Sequence, residues 1–226
     1  DEKSYDDIIP KKDRLYQVWI DAHFDNKISS WISVPLPTYP AMKSAHSSIV
    51  NSSVAGWGGD RLITYEDNRL IKTGYFVSKE FLTMFEYPLI SGDANSVMEN
   101  PSSIVITERL SKLLFGDKNP IGALVRVDDK STLTVTGLLK DLPDNSSFEF
   151  DYLIPWKHRE TIEEWVLDNK NNWGNYSFQV FVELNNAENE DVAEASIKNL
   201  LLENGEDDIH REFFLYPMSR WRLYSN

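Results

Sequence analysis

Cysteine is absent from this chain of 226 residues, so disulfides, zinc–thiolate centres and cysteine nucleophiles are excluded. Histidine is scarce. His23, His46, His158 and His210 stand apart, with no H-x-x-H or H-E-x-x-H spacing to set two ligands on one helix face, so no metal site is expected from them. No window of about 18 apolar residues occurs, so no part of the chain is expected to cross a bilayer as a helix. The opening DEKSYDDIIPKKDR has neither a basic n-region nor an apolar core and is expected not to be a signal peptide, which leaves a cytoplasmic protein or a piece of something larger. Basic residues are the minority, 23 against 36 acidic, for a net charge of −13. That surface repels phosphate backbones and anionic headgroups, which argues against nucleic acid and against membrane docking through a basic patch.

Signatures of catalysis are missing in the same way. No serine sits in a G-x-S-x-G elbow, and the acidic group Glu203, Glu206, Asp207 and Asp208 lacks the register of a calcium loop and reads as a solvated turn. The glycine-containing FGDKNPIGALVRV, from Phe115, follows a helix and precedes a strand. A phosphate loop runs the other way, from strand into helix, and carries Gly-Lys-Ser/Thr. This stretch therefore reads as a connector, with Gly116 ending the helix at positive φ and Pro120 blocking its extension. No catalytic, cofactor-binding or metal-binding residue is assigned, no cofactor is expected, and the chain reads as a non-enzyme.

What is present is a mixed pattern of α and β signals. LYQVWI from Leu15 reads as a first strand. A helix follows from an N-cap at Thr38, with Met42, Ala45, His46 and Ile49 on its stripe. Residues 57–78 form a hairpin turning at Glu66–Asn68. Ser78 reads as the cap of a short helix carrying Phe81, Leu82 and Phe85. SSIVIT is a buried strand, and Thr107 caps a helix with Leu110, Leu113 and Leu114 inward. Leu124–Leu139 is a second hairpin, with Val125, Val127, Leu133 and Val135 on one face. Beyond Pro155 come a helix with Ile162, Trp165 and Val166 inward, the strand SFQVFVEL, the longest helix with Ala193, Ile197, Leu200 and Leu201 buried, and the strand FFLYPM. This order indicates an α+β protein in which a β-rich module interrupts an outer unit.

Seven tryptophans are many for this length. Trp31, Trp57 and Trp173 lie among Gly, Asn and Ser and are candidates for an exposed interaction surface, whereas Trp19, Trp156 and Trp165 fit core positions. Together with the many carboxylates they also permit an alternative reading as a secreted carbohydrate-active or carbohydrate-binding protein.

Three stretches carry a resemblance: GYFVSKEFLTMFEYPLISGD from Gly74, NPSSIVITERLSKLLFGDKNPIG from Asn100, and LTVTGLLKDLPDNSSFEFDYLIP from Leu133. Their ordered elements V-S-x-x-F, G-D, I-V-I-T-E, F-G-D-x-x-P-I-G, V-T-G-x-x-x-D-L-P and N-S-x-F resemble the MacB-like periplasmic core domain of FtsX-like ABC-transporter permeases, in the style of Bacteroidetes. Leu138 and Ser147 stand where the family often has Val and His. Residues 2–18 and 215–226 are similar to the family's segments near its flanking membrane helices.

The resemblance implies a porter-like βαβ subdomain split between residues 1–60 and 155–226, with a β-rich, Sabre-like subdomain inserted at 61–154. It also implies a non-catalytic domain on the periplasmic face of the inner membrane, belonging to an integral membrane protein. Its role would be to couple cytoplasmic ATP hydrolysis to efflux, lipoprotein handling or partner regulation. The expected partners are a cytoplasmic ATPase, a second permease copy and a periplasmic protein.

Overall fold

The structure, a computed structural model, describes residues 6–24, 27–205 and 210–221. Of the acidic group expected around the end of the last helix, Glu206, Asp207 and Asp208 lie outside these residues. In chain order the strands are β1 (Leu15–Phe24), β2 (Lys27–Trp31), β3 (Ile49–Ala55), β4 (Gly59–Tyr65), β5 (Asn68–Val77), β6 (Leu89–Ser91), β7 (Ser103–Thr107), β8 (Leu124–Val127), β9 (Ser131–Leu139), β10 (Tyr152–Pro155), β11 (Gln179–Leu184) and β12 (Arg211–Pro217). The helices are α1 (Thr38–Ala45), α2 (Glu80–Phe85), α3 (Glu108–Phe115), α4 (Trp156–Ile162), α5 (Glu164–Asp168), α6 (Glu190–Ile197) and α7 (Leu200–Glu203). No helix among the described residues is long and apolar enough to cross a membrane.

The chain divides into two compact units. Residues 6–10 with Ala55–Ile162 form one, and Lys11–Val54 with residues 163–221 form the other. In the first, the strands run β10-β7-β9-β8-β4-β5, and β10 pairs again with β5, so the six close into a ring. Closure leaves these strands no free edge within the ring. The β5–β10 and β7–β9 pairs are parallel and the other ring pairs antiparallel. Alternation along β9 buries Leu133, Val135 and Leu139, facing Val125 and Val127 of β8. The Thr107 side chain caps α3 by accepting from the Leu110 amide, and Leu110 and Leu114 are buried beneath it.

The second unit is a sheet ordered β3-β11-β1-β12, with β2 pairing the far half of β1. Val18, Ile20 and Ala22 of β1, Val180 and Val182 of β11, and Phe213 and Leu215 of β12 are buried. Helix α1 packs on β11, while α6 and α7 pack on β12 through Ala193, Ile197 and Leu201. The opposite face is partly polar. Gln17 donates to Gln179 at 3.1 Å in a buried pair, and Glu183, only 4% exposed, takes Lys11 at 3.2 Å and Arg14 at 3.5 Å.

Several expectations need correction. Residues 6–10 and 155–162 belong to the barrel unit and not to the outer one, and that unit starts at Ala55 and not at residue 61. The Asp6 amide donates to the Asn145 carbonyl at 3.0 Å, and the Asp6 carboxylate receives the Ser147 amide at 2.7 Å and also its hydroxyl. Helix α4 is tied down by buried Trp156 and by His158, whose Nε2 lies 3.0 Å from Ser131 Oγ. The segment after β1 is a strand, so the outer unit opens β-β-α-β. Thr38 is the first residue of α1 and is not its cap; that position is Pro37. Ile49 lies in β3, Leu113 is 49% exposed, and the short helix after Ser78 has Lys79 at its N-cap. The helix after Pro155 breaks at Glu163, leaving Ile162 and Trp165 exposed with only Val166 buried in α5. The longest helix is split between α6 and α7, and Leu200 is only half-buried.

Gly116 has φ 62° and ψ −126°, and its amide donates to the Lys112 carbonyl at 3.0 Å. Nothing lies within 4 Å of the place its Cβ would occupy, so a side chain there meets only backbone strain. Gly116→Val should cost about 1–2 kcal/mol. Asp117→Ala and Lys118→Ala should stay within roughly 0.5 kcal/mol. Urea melts check both; a Gly116→Val midpoint equal to the parent's would show that the turn relaxes freely.

Candidate functional site

Trp31 ends β2, half-buried. Its indole N–H donates to Ser29 Oγ at 3.1 Å. Its ring meets Tyr176 edge-on at 6.0 Å and Phe24 at 6.1 Å, and the Arg211 guanidinium lies 5.8 Å from its centroid. Arg211 also stacks over Tyr176 at 5.2 Å and donates to its hydroxyl at 3.2 Å. A guanidinium between two rings is a cation–π arrangement that holds both in place. Exposed Phe24, Ile28 and Ile32 continue the apolar character around it. Trp173 is half-buried in the loop between α5 and β11 of the same unit. Trp57 is 44% exposed between β3 and β4 and belongs to the barrel unit. The three candidates are therefore shared between the two units.

The strand pair β1–β12 gathers residues that spacing in the sequence keeps at opposite ends of the chain. Its register sets Tyr16 opposite Pro217 at one end and Ala22 opposite Arg211 at the other. Near Tyr16 the outer face is aromatic, with Trp19 stacked on Tyr216 at 4.1 Å and meeting Phe214 edge-on at 5.9 Å. Towards the far end it becomes polar: the His23 amide donates to the His210 carbonyl at 2.9 Å, their rings are 5.0 Å apart, and His210 Nε2 is 2.7 Å from Glu212 Oε1. Burial alone would raise the Glu212 carboxyl. Hydrogen bonds from His210 and Lys198, with their charge, outweigh it and hold the group below its ordinary range. The expectation that all four histidines stand apart is thus corrected for His23 and His210. Only knowledge of the β1–β12 pairing could have found it.

His158 is the buried histidine. Burial first, then the nearby Arg61 charge, push it below the usual imidazole range. Because the unfolded chain then takes up the proton first, this contribution to stability is fully present above about pH 6.5 and is lost as pH falls below it. The urea midpoint of the barrel unit should fall between about pH 7.5 and about pH 5.5, and fall less in His158→Gln. An identical pH dependence in that variant would remove His158 as the cause.

The family described as the MacB-like periplasmic core domain matches residues 2–200. The macrolide export ATP-binding/permease protein MacB of Neisseria meningitidis serogroup B is 25% identical over 160 residues, covering 70% of this chain and 24% of its own length. The chain thus spans about a quarter of the curated relatives it matches. A domain assigned to a permease of Porphyromonas gingivalis has a similar fold, with a TM-score of 0.78 at 21% identity, covering 92% of this chain and 91% of that one. The periplasmic region of MacB from Actinobacillus actinomycetemcomitans gives 0.63 at 16% identity, over 93% and 91% of the two chains. The extracellular domain of the ABC-type transporter YknZ from Gram-positive bacteria gives 0.62 at 12%, over 88% and 99%. With the family match running from residue 2 to residue 200, the chain belongs to the MacB-like periplasmic core domain family, an extracytoplasmic domain of ABC-transporter permeases.

Proposed function

We propose that this domain transmits movement. In the parent permease it couples ATP hydrolysis by a cytoplasmic ATPase, fused or separate, to efflux, lipoprotein handling or partner regulation on the periplasmic side. It performs no chemistry itself. The sheet unit is the porter-like subdomain and the barrel unit the Sabre-like one. The permease works as a dimer with a periplasmic partner, for which Trp31, Trp57 and Trp173 are the candidate contacts.

One observation carries this reading. β1 starts and β12 ends at the same end of one sheet, with Tyr16 opposite Pro217 and the short turns Lys12–Arg14 and Met218–Arg220 packed together. A domain strung between two membrane spans is served by that arrangement, because a displacement that reaches Lys11 or Trp221 then loads the same pair of hydrogen-bonded strands. The carbohydrate reading has no comparable support.

The test uses the full permease with its ATPase in proteoliposomes. Spans of about 20 apolar residues should flank this segment in the reading frame. Replacing residues 1–226 by a short polar linker should abolish transport while ATP hydrolysis continues. Transport that survives the replacement would sink the coupling role. Turnover of ATP, peptides or glycosides by the isolated chain, lost on a single substitution, would sink the non-catalytic one.

A further inference from the structure

Among the described residues, His23, His210 and Glu212 offer three ligand atoms that all lie within 4.8 Å of one another. The grouping is imposed by the backbone. With Ala22 opposite Arg211 and Asp21 opposite Glu212, the two-residue period sends Asp21, His23, His210 and Glu212 to one face of the β1–β12 pair. Both histidines are exposed and the glutamate is half-buried. Asp21 is turned aside, its Oδ1 accepting from Ser30 Oγ at 2.6 Å.

We propose that His23, His210 and Glu212 form a binding site for a divalent transition metal ion, with zinc the natural occupant. Two imidazole nitrogens and one carboxylate oxygen are borderline donors suited to zinc and its neighbours and poorly matched to magnesium or calcium, which take oxygen shells. Metal–ligand bonds of about 2.0–2.1 Å in a tetrahedral shell set the ligands about 3.3 Å apart. His210 Nε2 and Glu212 Oε1 open to that from 2.7 Å, and wider separations, none above 4.8 Å, close to it by side-chain rotation with the paired strands held still. Lys198 Nζ, 3.2 Å from Glu212 Oε2, binds one carboxylate oxygen and leaves Oε1 to His210, as a supporting group orients a metal ligand. Its charge opposes a dication, but its side chain is 50% exposed and screened by solvent.

Three protein ligands leave a tetrahedral ion one open position, filled by water or by a donor from another molecule. The site lies about six strand residues from the end where β1 starts and β12 ends, roughly 20 Å along the pair. In a permease it would therefore be remote from the spans, where an ion with an open position offers an anchor point to a second protein. The binding site itself does not depend on the permease reading.

Zinc chloride titrated calorimetrically into the untagged, metal-free chain tests the site. One ion per chain should bind saturably in the micromolar range. His23→Ala, His210→Ala and Glu212→Gln should each weaken binding about tenfold or more, the scale on which losing even a supporting partner of a ligand is felt. His46→Ala and His158→Ala should leave it unchanged. Zinc should also shift the imidazole NMR signals of His23 and His210 in the unsubstituted chain, a readout that holds even if a variant misfolds. Absence of saturable binding, or affinity that survives the loss of both histidines, overturns the proposal. So does a zinc-induced shift confined to His46 or His158.

Discussion

Gly74→Ala should destabilise the barrel unit by about 3 kcal/mol or more, at the upper end of what one added methyl does in a packed interior. Gly74 pairs with Tyr152 where β5 and β10 run parallel and close the ring, and with Gly59 across the β4–β5 hairpin. The Tyr152 ring lies over Gly74, and its hydroxyl donates to the Gly59 carbonyl at 3.1 Å. Tyr152 is 1% exposed, so the ring has no solvent to swing into. A Cβ at residue 74 would stand closer than 3.0 Å to both the Tyr152 ring and the Tyr152 carbonyl oxygen. The ring alone could be displaced, at the expense of its hydrogen bond. The carbonyl is held by the strand ladder. Removing the ring should therefore not rescue the defect: Gly74→Ala should remain costly in a Tyr152→Ala background. Gly59→Ala is the control, because nothing lies within 4 Å of its Cβ position. A Gly74→Ala unfolding free energy from urea melts within about 0.5 kcal/mol of the parent's would mean that the ring does not close as described.

The parts of this fold legible beforehand are those whose determinants lie within one turn or one hairpin. Thr107 and the Leu110–Leu114 spacing define α3 without help from elsewhere, and alternation at Val125, Val127, Leu133 and Val135 defines the β8–β9 face. Misreadings arose where periodicity was carried across a break. Glu163, at φ −128° and ψ 91°, interrupts the helix after Pro155, so Ile162 and Trp165 do not share the phase of Val166. The same happens between α6 and α7 around Lys198, whose carbonyl is drawn to the Phe213 amide of β12 at 3.2 Å.

That Leu15–Ile20 shares a sheet with the strands at Phe178–Glu183 and Phe213–Tyr216 was legible, but the register and the docking of particular distant residues were not. Nothing local to Asp6 says that it meets Ser147, and nothing local to His23 says that it lies opposite His210. Both follow from where distant segments dock. The order of elements supplied the presence of two modules and the resemblance the family, since ordered motifs survive divergence. It did not supply the module limits. The departure at Ser147, noted only as a mismatch, proves to be the residue that receives the N-terminal segment through its amide and hydroxyl.

That segment leads to an aromatic cluster, where Phe81→Ala should cost about 3–5 kcal/mol by loss of buried area and by the cavity left behind. Phe81 is wholly buried on α2, 4.5 Å from the Phe85 ring and 6.1 Å from Tyr87. Phe148, next to Ser147, stands edge-on to Phe81 and Phe85 at 5.4 Å each and to Tyr75 at 5.6 Å. Edge-to-face contact sets the positive ring edge against a negative face, adding about 0.5–1.5 kcal/mol per pair beyond area. A Phe81/Phe148 double-mutant cycle should therefore show coupling of about that size, because the rings are in direct contact. Phe81→Leu, which keeps most of the volume but loses the ring quadrupole, should lie between the parent and Phe81→Ala. The three rings that touch this site, of Phe85, Tyr87 and Phe148, are fixed by their own mutual contacts, which is why collapse is not expected to recover the loss. A Phe81→Ala cost below about 1.5 kcal/mol, or additive losses in the cycle, would show instead that α2 settles into the gap and that these aromatics act only as bulk.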